Sequence, residues 1–286
     1  MNIGFIGAGK VGFSLGKYFK EKGISVSGYY SRSRRSSAEA ANFTNTKSYD
    51  TIKDILEDSD AIFVTTTDGA ISQIWDQMRN LNVKNKLICH CSGSITSTVF
   101  FNGENLGAHI YSIHPLYAVS DKYNSWQGLA KAHFTVEGSN SALDTILELF
   151  AQTGNPVTVI SKDSKELYHC AAAVASNLAT GLFKTAIDML KACGFAETDA
   201  TDALLPLFVG NSLNIQRAVE NGQPLYSTLT GPIERNDVET VKKHLAAIPT
   251  EKDKELYKIL SQQLVVLGKI KDSVKDYSEI EEVLSR

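Results

Sequence analysis

The chain has 286 residues, 43% of them hydrophobic, which suits two domains with sizeable cores. Its 29 Lys and Arg against 32 Asp and Glu leave a net charge of −3, and the one dense basic cluster, Arg32 to Arg35, is unlike the broad stripe of a nucleic-acid binder. With no run of about 18 apolar residues and no leader read ahead of the first strand, a soluble cytoplasmic protein without nucleic-acid or membrane partners is expected.

The apolar opening from Ile3 reads as a short buried strand and Lys10 to Glu21 as the helix after it. Between them stand Gly7, Ala8, Gly9, Lys10, Val11 and Gly12. A dinucleotide pyrophosphate needs a tight turn, a backbone free of side chains beside the phosphates, and close packing of helix on strand, and the three glycines supply these in order. The helix start offers unpaired N–H groups and the positive end of its dipole. A strand before the glycines and a helix after them is the context that makes such a motif specific.

The next strand, Ser25 to Tyr30, ends where NAD-binding chains place an acid for the ribose hydroxyls, about twenty residues on. Here the chain reads Ser31-Arg32-Ser33. A guanidinium meets a 2′-phosphate with a charge-assisted contact, whereas an Asp would repel it, so NADP is favoured over NAD and Arg32 is the first candidate to hold it.

Asp60 to Thr67 reads as a buried strand, followed by a helix from Asp68 to about Leu81. Thr66 and Thr67, at the strand end, join the expected cofactor site. Lys86 to Cys91 is the next strand, ending in Ser92-Gly93-Ser94. Alternate strand residues face opposite ways, so Cys89 and Cys91 share one side and His90 the other, and the cysteines are read as small buried hydrophobes with no metal site. Gly107 to Ser112, ending at His114-Pro115, and Ala132 to Glu137 read as strands, Ser141 to Thr153 as helix, and Pro156 to Ser161 as a last strand. Strands alternating with helices predict an α/β domain, a Rossmann-type parallel sheet over residues 1–161, with ligands beyond the carboxyl ends of the strands.

From about Lys162 the pattern becomes helical throughout, predicting an all-helical second domain over residues 162–286. Its first helix, Ser164 to Ala192, carries an aliphatic stripe of Leu167, Val174, Leu178 and Leu182, expected to be buried in its own domain. His169 and Asn177 lie on the milder face. Further on, Asn236 with Glu239 reads as a capping box, and Thr230, Arg235 and Asp237 near that helix start form a candidate substrate receptor for a carboxylate.

These segments also carry a family resemblance. Gly7 to Gly12, Ser92-Gly93, Ile113-His114-Pro115-Leu116, Tyr168-His169 through Ser176-Asn177, and Leu229 to Ile233 with Arg235 and Asp237 resemble the NADP oxidoreductases that join a Rossmann domain to a DUF2520-type helical domain. That group belongs with the 6-phosphogluconate and hydroxyacid dehydrogenases. The resemblance implies hydride transfer from NADPH to a small 2-oxo acid, and most specifically ketopantoate reduction to pantoate for coenzyme A synthesis. It implies that Ser92 and Gly93 contact substrate and that Asn177 matches the Asn of the dehydrogenases' first long helix. It further implies a homodimer. One departure stands out: the dehydrogenases' catalytic Lys, one turn before that Asn, is replaced here by Ala173 or Val174. His169 is then the first candidate proton donor and His114 its competitor, because carbonyl reduction needs a donor for the developing oxyanion. Reduction of an imine, or NADP(H) sensing without turnover, are the alternative readings.

Overall fold

The computed structural model describes residues 1–286. Its first unit, Met1–Ser176, opens with strand β1 (Asn2–Ile6), helix α1 (Lys10–Glu21), β2 (Ser25–Tyr30), α2 (Arg34–Thr44), β3 (Lys47–Tyr49), α3 (Ile52–Glu57), β4 (Ala61–Val64), α4 (Asp68–Met78) and β5 (Leu87–His90). It continues with β6 (His109–Leu116), the short α5 (Ser125–Gly128), β7 (His133–Gly138), α6 (Leu143–Thr153), β8 (Val157–Val159) and α7 (Lys165–Ala175).

The strands form one sheet in the order β3-β2-β1-β4-β5-β6-β7-β8. Neighbours are parallel except β6 and β7, which run antiparallel with His114 opposite Thr135. The sheet is thus mostly parallel, as expected for a Rossmann-type domain, with one antiparallel pair where β6 continues through Pro115 to Leu116 before the chain turns back. Each central strand is apolar on both faces, as a sheet covered by helices requires. Ile3, Phe5, Phe63, Cys89 and Tyr111 pack with Phe13, Phe19 and Phe150 on one side. Ile62, Val64, Ile88 and Ile110 pack with Ile55, Trp75 and Phe100 on the other. The chain leaves β1 toward β2 on one side and toward β4 on the other, so the crevice beyond the carboxyl ends of β1 and β4 is the switch point where such sheets bind ligands.

The second unit, Asn177–Arg286, is helical: α8 (Asn177–Ala192), α9 (Glu197–Glu220), α10 (Pro232–Arg235), α11 (Val238–Ala247), α12 (Glu251–Lys271) and α13 (Ser278–Ser285). Ile233, Val241, Val265, Tyr277, Ile280 and Leu284 form its core.

Four expectations change. The single helix over 164–192 is two, because Ser176 adopts φ −118° and ψ −80° and breaks the helical path. The two units divide there, between Ser176 and Asn177, instead of at 161/162. The stretch Lys162–Ala192 is long and apolar enough to cross a membrane, but it contains this break, the buried Lys165 and the Lys184–Asp188 ion pair. The aliphatic stripe is not buried: Leu178 is 61% exposed and Leu182 40%. Finally, the cap of α11 is Asp237, whose carboxylate accepts from the Thr240 N–H at 3.1 Å, while Asn236 sits in the left-handed region at φ 58°.

Candidate active site

Beyond the ends of β1 and β4 lies a cavity of about 890 Å³, lined by Gly7 to Val11, Tyr30 to Ser33 and Thr65 to Asp68, and reaching Cys91, Ser92 and Val119. Of the residues expected to hold the cofactor, Gly7, Ala8, Gly9, Lys10, Val11, Ser31, Arg32, Ser33, Thr66 and Thr67 all line it; Gly12 does not. Gly12 works from beneath, where a Cβ would stand 2.3 Å from Thr65 Oγ1 and 2.4 Å from the Gly7 carbonyl. Gly7, at φ 113°, makes the turn. A Cβ at Gly9 would meet only the Thr65 carbonyl at 3.8 Å, so its bare face opens to the cavity.

These residues fit a dinucleotide. No side chain caps the start of α1, which leaves its first N–H groups free for phosphate. The Thr66 hydroxyl is buried without a partner beside the cavity, as a group waiting for a ligand atom would be. Within the basic cluster the roles separate: Arg34 is paired with Asp50, Ser33 caps α2 by accepting from the Ser36 N–H, and Arg32 lines the cavity with no carboxylate partner.

At the far end of the cavity the Ser92-Gly93 turn is held from three sides. His90, at the end of β5, is wholly buried; its Nδ1 accepts from the Ser92 N–H and its Nε2–H donates to the Thr96 carbonyl, both at 3.2 Å. Burial pulls its pKa down to about 4, so it stays neutral and staples the turn. The Ser92 hydroxyl donates to Asp68 Oδ2 at 2.9 Å, and Ser94 to the same oxygen at 3.1 Å. Beneath, the Ser112 hydroxyl donates to the Ser92 carbonyl at 3.2 Å and accepts from Lys165 Nζ at 2.6 Å.

Two imidazoles crowd Gly93. A Cβ there would fall 2.6 Å from His169 Cδ2 and 3.0 Å from His114 Nε2, which is why the turn carries glycine. The rings of His114 and His169 are 6.5 Å apart. They differ in surroundings: His169 is exposed, whereas His114 is half-buried and its Nδ1 lies 2.6 Å from the Tyr168 hydroxyl. Burial, and then the charge of Lys165, pulls the His114 pKa down to about 4. Burial raises that of Tyr168, so the phenol keeps its proton and donates to Nδ1. The imidazole is thereby fixed as the tautomer whose Nε2–H faces Gly93.

The first unit thus brings together Ser92, Gly93, His114 and His169. Asn177, Thr230, Arg235 and Asp237 belong to the second unit: Asn177 opens α8, Thr230 and Arg235 are exposed, and Asp237 is committed to its cap. Lys165, Tyr168 and His90 are absent from the site residues expected from sequence. Helical spacing offered one signal, since Lys165 shares a face of α7 with Tyr168 and His169, three and four residues on.

Residues 2–92 match the family described as NADP oxidoreductase coenzyme F420-dependent, and residues 132–264 match Domain of unknown function (DUF2520). The chain belongs to the NADP-dependent oxidoreductases that combine these two segments. No curated protein matches it. Among solved structures, protein TM1727 from Thermotoga maritima is 22% identical over 99% of this chain and 100% of its own, with a TM-score of 0.66. A pyrroline-5-carboxylate reductase from Coxiella burnetii is 13% identical over 96% and 98%, TM-score 0.65. An imine reductase from Myxococcus stipitatus in complex with NADP+ is 16% identical over 100% of both chains, TM-score 0.59. At these identities the likeness speaks to the fold.

Proposed function

We propose that the protein reduces the carbonyl of a small 2-oxo acid to the alcohol, with ketopantoate to pantoate as the specific candidate. The observation that carries this reading is the Tyr168–His114 pair: a neutral imidazole held by a protonated phenol, presenting Nε2–H beside the Ser92-Gly93 turn where the cofactor cavity ends. Bound NADPH supplies a hydride to the carbonyl carbon. His114 Nε2–H donates to the carbonyl oxygen as negative charge builds there, which is the point at which a preorganised donor lowers the barrier. The oxygen takes the Nε2 proton as Nδ1 takes that of Tyr168, solvent then restores the phenol, and the products are the 2-hydroxy acid and NADP+. Ser92, oriented by Asp68, positions the substrate. His169, exposed and without a fixing partner, is assigned a lesser role than His114.

Reduction of a C=N bond is the second reading, favoured by one feature: Asp68 lines the cavity, and a carboxylate there favours a cationic iminium over a second anion. The protein is further proposed to act in the cytoplasm as a homodimer, supported by the exposed apolar residues Leu205, Leu207, Val209 and Leu213 of α9. The test follows nicotinamide absorbance with NADPH against ketopantoate, other 2-oxo acids and cyclic imines. Ketopantoate-dependent oxidation, lost in His114→Ala at unchanged NADPH affinity, supports the reading. Oxidation by imines alone transfers it to the second, and tight NADPH binding with no turnover defeats both.

A further inference from the structure

Lys165 takes no direct part in that chemistry, and its position still calls for a reason. It is 0% exposed. Its ammonium makes one hydrogen bond, to Ser112 Oγ at 2.6 Å, and lies 5.5 Å from the centre of the Tyr168 ring. No carboxylate stands within ion-pair distance. The nearest buried acid, Glu137 on β7, already accepts from the Ser97 N–H at 2.7 Å and hydroxyl at 2.8 Å. A buried ammonium with one partner is costly, and folds keep such groups where they act on something else.

Resting on the reading above, we propose that Lys165 is a positioning residue for the reduction: its buried charge stands one helical turn from the phenol that holds His114 and acts on that pair, and its bond to Ser112 braces the Ser92-Gly93 turn. The geometry supports both halves. Lys165, Tyr168 and His169 share a face of α7, so the cation stands one turn from the phenol bonded to His114. The Ser112 hydroxyl that accepts from Lys165 donates its own O–H to the Ser92 carbonyl, an acceptor that donates nothing onward. The chain of bonds therefore ends there and carries no proton to the substrate; Lys165 acts by charge and by position.

The groups facing His114 are Lys165, Tyr168 and His169 on α7, Asp68 on α4 and His90 on β5; those facing Lys165 also include Glu137 and Cys91. Asp68 acts against Lys165 on the imidazole, raising its pKa, while His169 and His90 act with it. Lys165 itself is pulled down to about 8, chiefly by burial, so it carries its charge at neutral pH and loses it in mildly alkaline solution.

The test is a histidine-labelled NMR titration of the full chain, which needs no substrate, paired with kinetics. In the wild type, the His114 ring nitrogens should show an inflection near pH 8 as Lys165 discharges. Lys165→Arg, charged throughout, should abolish that inflection. Lys165→Met should raise the His114 midpoint by about half a pH unit or more. It should also lower kcat about tenfold with KM for NADPH unchanged, since only the transition state feels the loss. Ser112→Ala should leave the His114 midpoint in place and lower kcat alone. An unmoved midpoint in Lys165→Met overturns the proposal. So does a wild-type His114 signal with no inflection near pH 8, a result that can be read even if the Met variant fails to fold. Absence of turnover with every substrate would sink the reductase reading and leave Lys165 to be judged by the titration.

Discussion

Lys165→Met should stabilise the protein at neutral pH, by an amount that depends on pH in a way no neutral core substitution would. The pKa of Lys165 falls from 10.5 in the unfolded chain to about 8 in the fold. At about 1.4 kcal/mol per pH unit, keeping the ammonium buried costs about 3 kcal/mol below pH 8. The lost bond to Ser112 returns about 1 kcal/mol, leaving a net gain of about 2 kcal/mol for the Met variant at pH 7. The sign follows from proton counting. Between pH 8 and 10.5 the unfolded chain binds a proton that the folded one does not, so wild-type stability rises with pH across that window and the penalty is gone above it. Urea denaturation of both proteins in steps from pH 7 to 10.5 measures the difference, and every other titrating group cancels in it. The variant's advantage should shrink and then reverse on the alkaline side. A difference that stays flat across the window would show that Lys165 is not held charged in the interior, and the electrostatic argument for His114 would fall with it.

Arg32→Ala should raise KM for NADPH at least tenfold while changing that for NADH little, as expected for loss of a charge-assisted phosphate contact; equal effects on both would remove Arg32 from the cofactor's phosphate. Two glycines should part company. Gly9→Ala should fold normally and weaken NADPH binding, because its Cβ meets only the Thr65 carbonyl at 3.8 Å and otherwise enters the cavity, whereas Gly12→Ala, forced to within 2.3 Å of Thr65, should lower the melting temperature markedly. A normal melting temperature for Gly12→Ala would contradict the packing role. Tyr168→Phe leaves the His114 Nδ1 without its donor and should lower kcat by roughly 10- to 100-fold with little change in KM for NADPH; unchanged kcat would deny the pair its role.

The nucleotide half of the molecule was legible because its chemistry is local. A strand, three glycines and a helix within a dozen residues constrain one another, and Ser31 to Ser33 follow directly at the next strand end. The antiparallel return of β7 was not, since nothing in Ala132 to Glu137 distinguishes a strand running one way from the other; only the pairing of His114 with Thr135 does. The catalytic corner was half legible. His114 and His169 stand out as residue types, but their ranking turns on burial, and the exposed His169 has no partner to match Tyr168. Lys165 was invisible as a site residue because lysine in a helix is ordinarily solvated, and only the surrounding sheet puts it out of reach of water. The break at Ser176 escaped for a related reason: no proline or glycine marks it, and the apolar periodicity runs on across it.

In the proposed reaction the Nε2–H of a neutral His114, held by Tyr168, serves hydride transfer from NADPH to a small carbonyl compound. Its most direct measurement is the single-turnover rate of NADPH oxidation with ketopantoate, compared among the wild type, His114→Ala and His169→Ala. Substrate-dependent oxidation should fall by about a hundredfold or more without His114 and by far less without His169. Equal losses from the two variants, or full activity without His114, would contradict it.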